Sequence, residues 1–217
     1  MTRSPRTTVL ARPAGAPLAR PEIVLASASA ARSAMLRAAG VAFETVPPAI
    51  DEPALRIRLR DEGADAARCA LALAEAKALA VSRRRPGRLV VGADQILVCG
   101  GQAFDKPADR AAARAQLAAL SGRTHAQLSA ACVVRDEARL WAHVGEARLA
   151  MRSLSESFIE SYLDAVGDRA LAVPGAYQIE AEGAQLFTRI DGDSYTVLGL
   201  PLLALLEFLR EAGALAA

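Results

Sequence analysis

A chain of 217 residues, 53% hydrophobic and 23% charged, has material for a substantial core and needs no more than one domain, or one domain with two lobes. Lys and Arg number 26 against 24 acids, and a net charge of +2 with 4% aromatic residues argues against a nucleic-acid surface. The longest apolar run, Val197 to Leu206, is interrupted by Gly199 and Pro201 and falls short of a membrane span, so no membrane partner is expected.

Cys69, Cys99 and Cys132 are widely spaced and form no CxxC pair, which suits small core residues in a reducing, cytoplasmic setting. His125 and His143 are the only histidines, so a zinc site of several imidazoles is excluded. A metal would have to be held by oxygen ligands, which favours magnesium or manganese.

Residues 1–21 carry four arginines, several prolines and no acid, and read as a flexible extension without the apolar centre of a signal peptide. Ile23, Val24 and Leu25 then form a buried strand, Ala26 to Ser29 a small-residue turn, and Ala30 to Ala39 a helix stopped by Gly40. Ser27 or Ser29 can cap that helix, and its free N–H groups together with Arg32 favour an anion such as phosphate.

A second strand over 41–46 ends at Pro47-Pro48, and Asp51-Glu52 is expected in the loop after it, where carboxylates can hold a metal through one oxygen each. A short helix is predicted over 54–60 and a long one over 65–83, with Asp65 as its N-cap. Lys77 lies in the second, and helical periodicity allows it to reach either water or the anion site.

Leu89-Val90-Val91 predicts another buried strand, broken at Gly92-Ala93-Asp94-Gln95 and resumed at Ile96. A carboxylate amid apolar strand residues requires a partner or a function, which makes Asp94 the strongest single candidate. Gly100-Gly101 turns the chain toward Asp105-Lys106-Pro107, and a helix follows over 109–120. Two alternating segments between His125 and Arg152, joined by RDEA, predict a hairpin that contributes sheet rather than chemistry. Ser155 opens a helix to about Val166, and another apolar helix runs from Leu202 to Leu209. The alternation defines an α/β fold with a mixed central sheet flanked by helices.

No GxxxxGK or strand-linked GxGxxG occurs, and DGD at 191–193 lacks the strand and following Thr of a dehalogenase pair. The cations Arg32, Lys77 and Lys106, with the acids Asp51, Glu52 and Asp94, suit cleavage of a polyphosphate. Cations neutralise phosphate oxygens, carboxylates hold a divalent ion, and one carboxylate deprotonates water.

LASASAAR at 25–32, Asp51-Glu52, Glu75-Ala76-Lys77, GADQ at 92–95, DKP at 105–107, LSGRTH at 120–125, GAYQIEAEGAQLF at 175–187 and VLGLPL at 197–202 occur in this order. Together they resemble the Maf family of nucleotide pyrophosphatases. The resemblance implies a single domain over 22–215 with a cleft between two lobes, like that of inosine triphosphatases, and usually a homodimer. It implies hydrolysis of a nucleoside triphosphate to the monophosphate and pyrophosphate with a divalent metal, in a house-cleaning role.

Asp94 matches the family's catalytic aspartate, the proton acceptor. Ser27, Arg32, Glu52, Lys77 and Lys106 match its other active-site positions; Arg32, Lys77 and Lys106 would hold the triphosphate, and Glu52 and Asp94 would share the metal. The family's SxSPRR has become Ser27-Ala28-Ser29-Ala30-Ala31-Arg32. Gln95 stands where many members have Thr, and Glu180 where they have Gln. These two residues, both candidates for substrate binding, resemble the branch acting on 7-methylguanosine triphosphate, which usually carries Trp at the position of Ala31. A carboxylate at 180 can accept hydrogen bonds from the N1–H and amino edge of guanine. The substrate is left open between a modified guanosine triphosphate and pyrimidine triphosphates. A nucleotide-binding regulator of cell division is the alternative, and the retention of Asp94, Glu52 and both lysines favours catalysis over it.

Overall fold

The structure, a computed structural model, describes residues 22–216. The expected extension over 1–21 lies outside the described residues.

Ile23, Val24, Leu25 and Ala26 are all buried and form β1 (Ile23–Ala26), as a fully apolar run should in a sheet covered on both faces. It pairs in parallel with β2 (Phe43–Thr45) on one side and with β3 (Leu89–Cys99) on the other. The crossovers carry α1 (Ala30–Ala38), then α2 (Glu52–Asp61) and α3 (Ala66–Ser82). The chain then turns antiparallel: β4 (Gln102–Phe104) folds back onto the end of β3, and α4 (Arg110–Leu120) leads to the long hairpin of β5 (Thr124–Arg135) and β6 (Ala138–Met151). Asp136 and Glu137 supply the positive φ values, 49° and 61°, of the two-residue turn. After α5 (Glu156–Val166) and a run of short 3-10 turns, β7 (Phe187–Asp191) joins the far edge; α6 (Ser194–Val197) and α7 (Leu202–Glu211) close the described chain. The result is a seven-stranded mixed sheet in the order β2-β1-β3-β5-β6-β7, with β4 on β3.

Most of the helix starts follow from side-chain caps. Ser29, Asp51, Asp65, Asp109, Ser155 and Asp193 each accept a hydrogen bond from a backbone N–H of the helix they precede. Each such cap contributes about 1 kcal/mol. One expectation fails at Asp51: it does not lie in an open loop beside Glu52 but caps α2 through Ala54 N at 3.0 Å, which puts Glu52 in the helix's first turn.

Strand alternation sorts the sheet into two faces. Val24, Ala26, Val90, Ile96, Ala130 and Cys132 pack against Ala70, Ala74, Ala78 and Val81 of α3. Ile23, Leu25, Leu89, Val91, Ala131 and Val133 face α1 and α7 through Leu36, Leu205 and Leu209. The expected break at Gly92 is absent, because β3 runs unbroken from Leu89 to Cys99. A Cβ on Gly92 would stand 2.0 Å from the Ala74 carbonyl oxygen, so this glycine admits the α3 backbone against the sheet rather than ending the strand.

The interruption lies in the pairing instead. β5 covers one edge of β3 from Val90 to Val98. On the other edge, β1 pairs no further than Gly92 and β4 begins only at Leu97, which leaves Ala93 to Ile96 without a ladder partner there among the described residues.

Candidate functional site

Asp94 stands in that gap. Its place in the alternation with Val90, Gly92 and Ile96 turns the carboxylate toward α3, and only 3% of the residue is exposed. A buried carboxylate requires compensation, and α3 supplies it from Lys77, also buried. Lys77 Nζ donates to Asp94 Oδ1 at 2.7 Å. The same ammonium lies 2.8 Å from Glu52 Oε2, at the start of α2. Of the two directions that helical periodicity allowed Lys77, the inward one is taken.

The second Asp94 oxygen, Oδ2, accepts from the Arg56 guanidinium at 3.0 Å. Glu52 and Arg56 are four residues apart on α2 and therefore share a face, one meeting Lys77 and the other Asp94. Arg56 also approaches Asp105, after β4, at 4.0 Å. Charges thus alternate from Glu52 through Lys77, Asp94 and Arg56 to Asp105. Arg56 was not among the candidates. Its signal was the i, i+4 spacing from Glu52, hidden because Asp51-Glu52 was read as loop.

Across the gap, the turn after β1 places Ser27 and Arg32. Ser29 caps α1 through Arg32 N at 3.4 Å, while Ser27 Oγ accepts from Ser29 N at 3.1 Å and from an Arg32 guanidinium nitrogen at 3.4 Å. Arg32 Nε donates to the Gly199 carbonyl at 2.8 Å, tying this turn to the one before α7. Desolvation draws the Arg32 guanidinium below its usual pKa, and the charges of Asp94 and Glu52 oppose that shift. Those opposing charges put Arg32 within electrostatic reach of the cluster.

Gln95 follows Asp94 and so points to the opposite face of β3. Its amide nitrogen donates to the Thr196 and Val197 carbonyls at 3.2 and 2.9 Å, at the end of α6. Lys106 and Glu180 are both exposed, and neither forms an ion pair with a described residue. Glu75 pairs with Arg139 on β6 at 3.1 Å, away from Lys77. Glu52, Lys77 and Asp94 are therefore brought into contact and Ser27 and Arg32 into contact with each other, within reach of the charges of Asp94 and Glu52, whereas Gln95 is turned to the main chain and Lys106 and Glu180 are left in solvent.

No group of three or more His, Cys, Asp or Glu side chains stands at metal-binding spacing among the described residues. Two carboxylates, those of Glu52 and Asp94, do converge on one cation, the Lys77 ammonium. No helix among the described residues is long and apolar enough to cross a membrane. Cys99 and Cys132 are buried and Cys69 half-buried, all three as free thiols.

The molecule is thus an α/β protein with an alternating charge cluster, buried at Lys77 and Asp94, where the parallel pairing of β1 and β3 ends beside a stretch of β3 that has no ladder partner among the described residues, a position at which such sheets bind ligands. Residues 22–212 match the family described as Maf-like protein, and the chain belongs to that family. It is 52% identical over 192 residues to a nucleoside triphosphate pyrophosphatase of Paramagnetospirillum magneticum, covering 88% of this chain and 99% of that one. It is 55% identical over 194 residues to a 7-methyl-GTP pyrophosphatase of Mesorhizobium japonicum, covering 89% and 98%. A 7-methyl-GTP pyrophosphatase of Rhizobium etli is 50% identical over 193 residues, covering 89% and 97%.

Proposed function

We propose that this protein is a nucleoside triphosphate pyrophosphatase that releases the monophosphate and pyrophosphate, with Asp94 as the proton acceptor. The observation that carries the reading is the placement of Asp94, a buried carboxylate held by a buried lysine on a stretch of strand edge that has no ladder partner among the described residues. A purely structural ion pair gains nothing from such a position, whereas a base must meet its substrate. Two of the four lone-pair directions of the Asp94 carboxylate are used by Lys77 and Arg56, which leaves acceptor capacity for water.

Arg32 and Lys77, with Lys106 from the exposed turn after β4, would hold the phosphate oxygens, and Ser27 would orient Arg32. Glu52 and Asp94 would hold a magnesium or manganese ion. Their convergence on one ammonium supports this, since two carboxylates with waters and phosphate oxygens form a normal magnesium set. When bound, that ion would supply charge neutralisation on the phosphates.

Gln95 acts, in this reading, by fixing the end of α6 and hence the Gly199 carbonyl that receives Arg32. Glu180, exposed and without an ionic partner among the described residues, is placed to meet a guanine edge, in line with the relatives named for 7-methyl-GTP. The free thiols favour a cytoplasmic location, and the exposed Leu140, Ile190 and Leu203 are apolar surface on which a second copy could pack.

The test is a panel of methylated and unmethylated nucleoside triphosphates with magnesium or manganese, with both products measured. Equimolar monophosphate and pyrophosphate are expected. Release of inorganic phosphate with the diphosphate would place the cleavage at the wrong bond, and no turnover on any nucleotide would end the hydrolase reading.

A further inference from the structure

The alternating cluster contains one cation that no expectation had placed there. Arg56 holds the outer oxygen of Asp94 from a helix on the surface, and 30% of its side chain is exposed against 7% for Lys77. The two cations on Asp94 therefore differ in kind. Lys77 is enclosed by α3 and the sheet and serves two carboxylates; Arg56 reaches in from water, with a second carboxylate, Asp105, at 4.0 Å. It thereby meets Asp94 on the stretch of β3, Ala93 to Ile96, that lacks a ladder partner among the described residues, as the more water-exposed of the two cations there.

A guanidinium in that place faces a choice once a polyphosphate enters. Phosphate oxygens accept the same planar fork of N–H donors as a carboxylate and carry more charge. We propose that Arg56 is a transferable phosphate ligand: it holds Asp94 Oδ2 and, when a polyphosphate binds, passes its guanidinium to the phosphate oxygens and uncovers that carboxylate oxygen. The proposal rests on the polyphosphate reading of the site given above. No bond is made or broken in the exchange; one ion pair replaces another. Its consequence is that Asp94 and Arg56 are coupled, since the carboxylate competes with the incoming phosphates for one guanidinium.

Inorganic tripolyphosphate, titrated calorimetrically into the full chain in chelator without metal, tests this apart from turnover. Arg56→Gln should weaken its binding about tenfold, the scale of a lost charge-assisted hydrogen bond. Asp94→Asn should tighten binding about fivefold while Arg56 is present, and by less than about twofold in the Arg56→Gln background. Plain removal of a negative charge would act equally in both backgrounds, so equal gains would overturn the transfer, as would unchanged affinity in Arg56→Gln. Arg56→Lys keeps the charge without the fork and should lie between wild type and Gln; it serves as the second variant if Gln perturbs folding. Pyrophosphate release by the wild type with equal gains would end this inference alone. Coupled binding without turnover would leave the transfer standing and end the hydrolase, and no tripolyphosphate binding by the wild type would end both.

Discussion

Lys77 and Asp94, seventeen residues apart in the chain, meet at 2.7 Å in a place where each is less than a tenth exposed. Breaking a buried pair costs about 3–5 kcal/mol, more than an exposed bridge contributes, and the second partners, Arg56 on Asp94 and Glu52 on Lys77, hold the cost to the lower end of that range. Lys77→Met should therefore lower the unfolding free energy by about 3 kcal/mol, read from urea denaturation. Adding Asp94→Asn to it should return part of that loss, because the stranded charge is then gone. A Lys77→Met protein within about 0.5 kcal/mol of wild type would show that the pair has no structural weight.

Asp94→Asn alone preserves shape and removes the base. If Asp94 takes the proton from water, kcat should fall by about 100- to 10,000-fold, while nucleotide binding persists. Comparing single-turnover rates with equilibrium binding separates these. Normal turnover in the variant would remove Asp94 from the chemistry and move attention to Glu52.

Gly92 tests the seat of α3 independently of any charge. A methyl group there would meet the Ala74 carbonyl oxygen at 2.0 Å and the Ala78 nitrogen at 2.8 Å, both main-chain atoms that cannot swing away. Gly92→Ala should cost about 2–3 kcal/mol and push α3, with Lys77, off the sheet. Lower stability together with reduced turnover is expected. A loss of turnover at unchanged stability would mean that Gly92 serves the ligand rather than the helix.

Much of this arrangement was legible because it is local. The caps at Asp65 and Ser155, the apolar run of β1 and the alternation of the β5–β6 hairpin are short-range signals, and the structure follows them. The misreadings concern relations between distant segments. Gly92 reads as a strand breaker until α3 is known to lie against it, since close backbone approach leaves the same mark as a turn. Asp51-Glu52 reads as loop because Pro47, Pro48 and Pro53 surround it, although Pro53 sits in the first turn of α2, where its missing N–H is harmless. That one shift of boundary hid Arg56. Which way Lys77 pointed depended on the buried carboxylate seventeen residues on, and no helical period carries that information.

Gln95 was expected to touch substrate, yet its amide nitrogen is engaged by the Thr196 and Val197 carbonyls. Its effect should then pass through the turn at Gly199, whose carbonyl receives Arg32 at 2.8 Å. Gln95→Thr would lose both hydrogen bonds, with a stability cost of about 1–2 kcal/mol, and should raise KM for all nucleotides alike by loosening Arg32. Glu180→Gln, by contrast, should raise KM for guanine nucleotides and spare the pyrimidines. A base-selective effect at Gln95, or none at Glu180, would exchange their roles.

His125 gives the protein a pH limit of its own. It is buried on β5, its Nε2 lies 2.7 Å from the Tyr177 hydroxyl, and its Nδ1 has no hydrogen-bond partner among the described residues. Tyr177, Phe187 and Gln127 surround the ring without a charge among them, and burial pushes its pKa down to about 4. The unfolded chain, with a value of about 6.5, binds a proton that the folded chain refuses, so stability is complete above about pH 6.5 and falls as pH drops toward 4. Roughly 2.5 kcal/mol should be lost by about pH 4.5 from this residue alone. Carboxylates titrate in the same region, so the measurement is a difference: urea midpoints of wild type and His125→Asn between about pH 4.5 and 7.5. The wild type's advantage should be greatest at the upper end and shrink steadily below about pH 6.5, whereas a constant gap would mean that His125 accepts its proton in place.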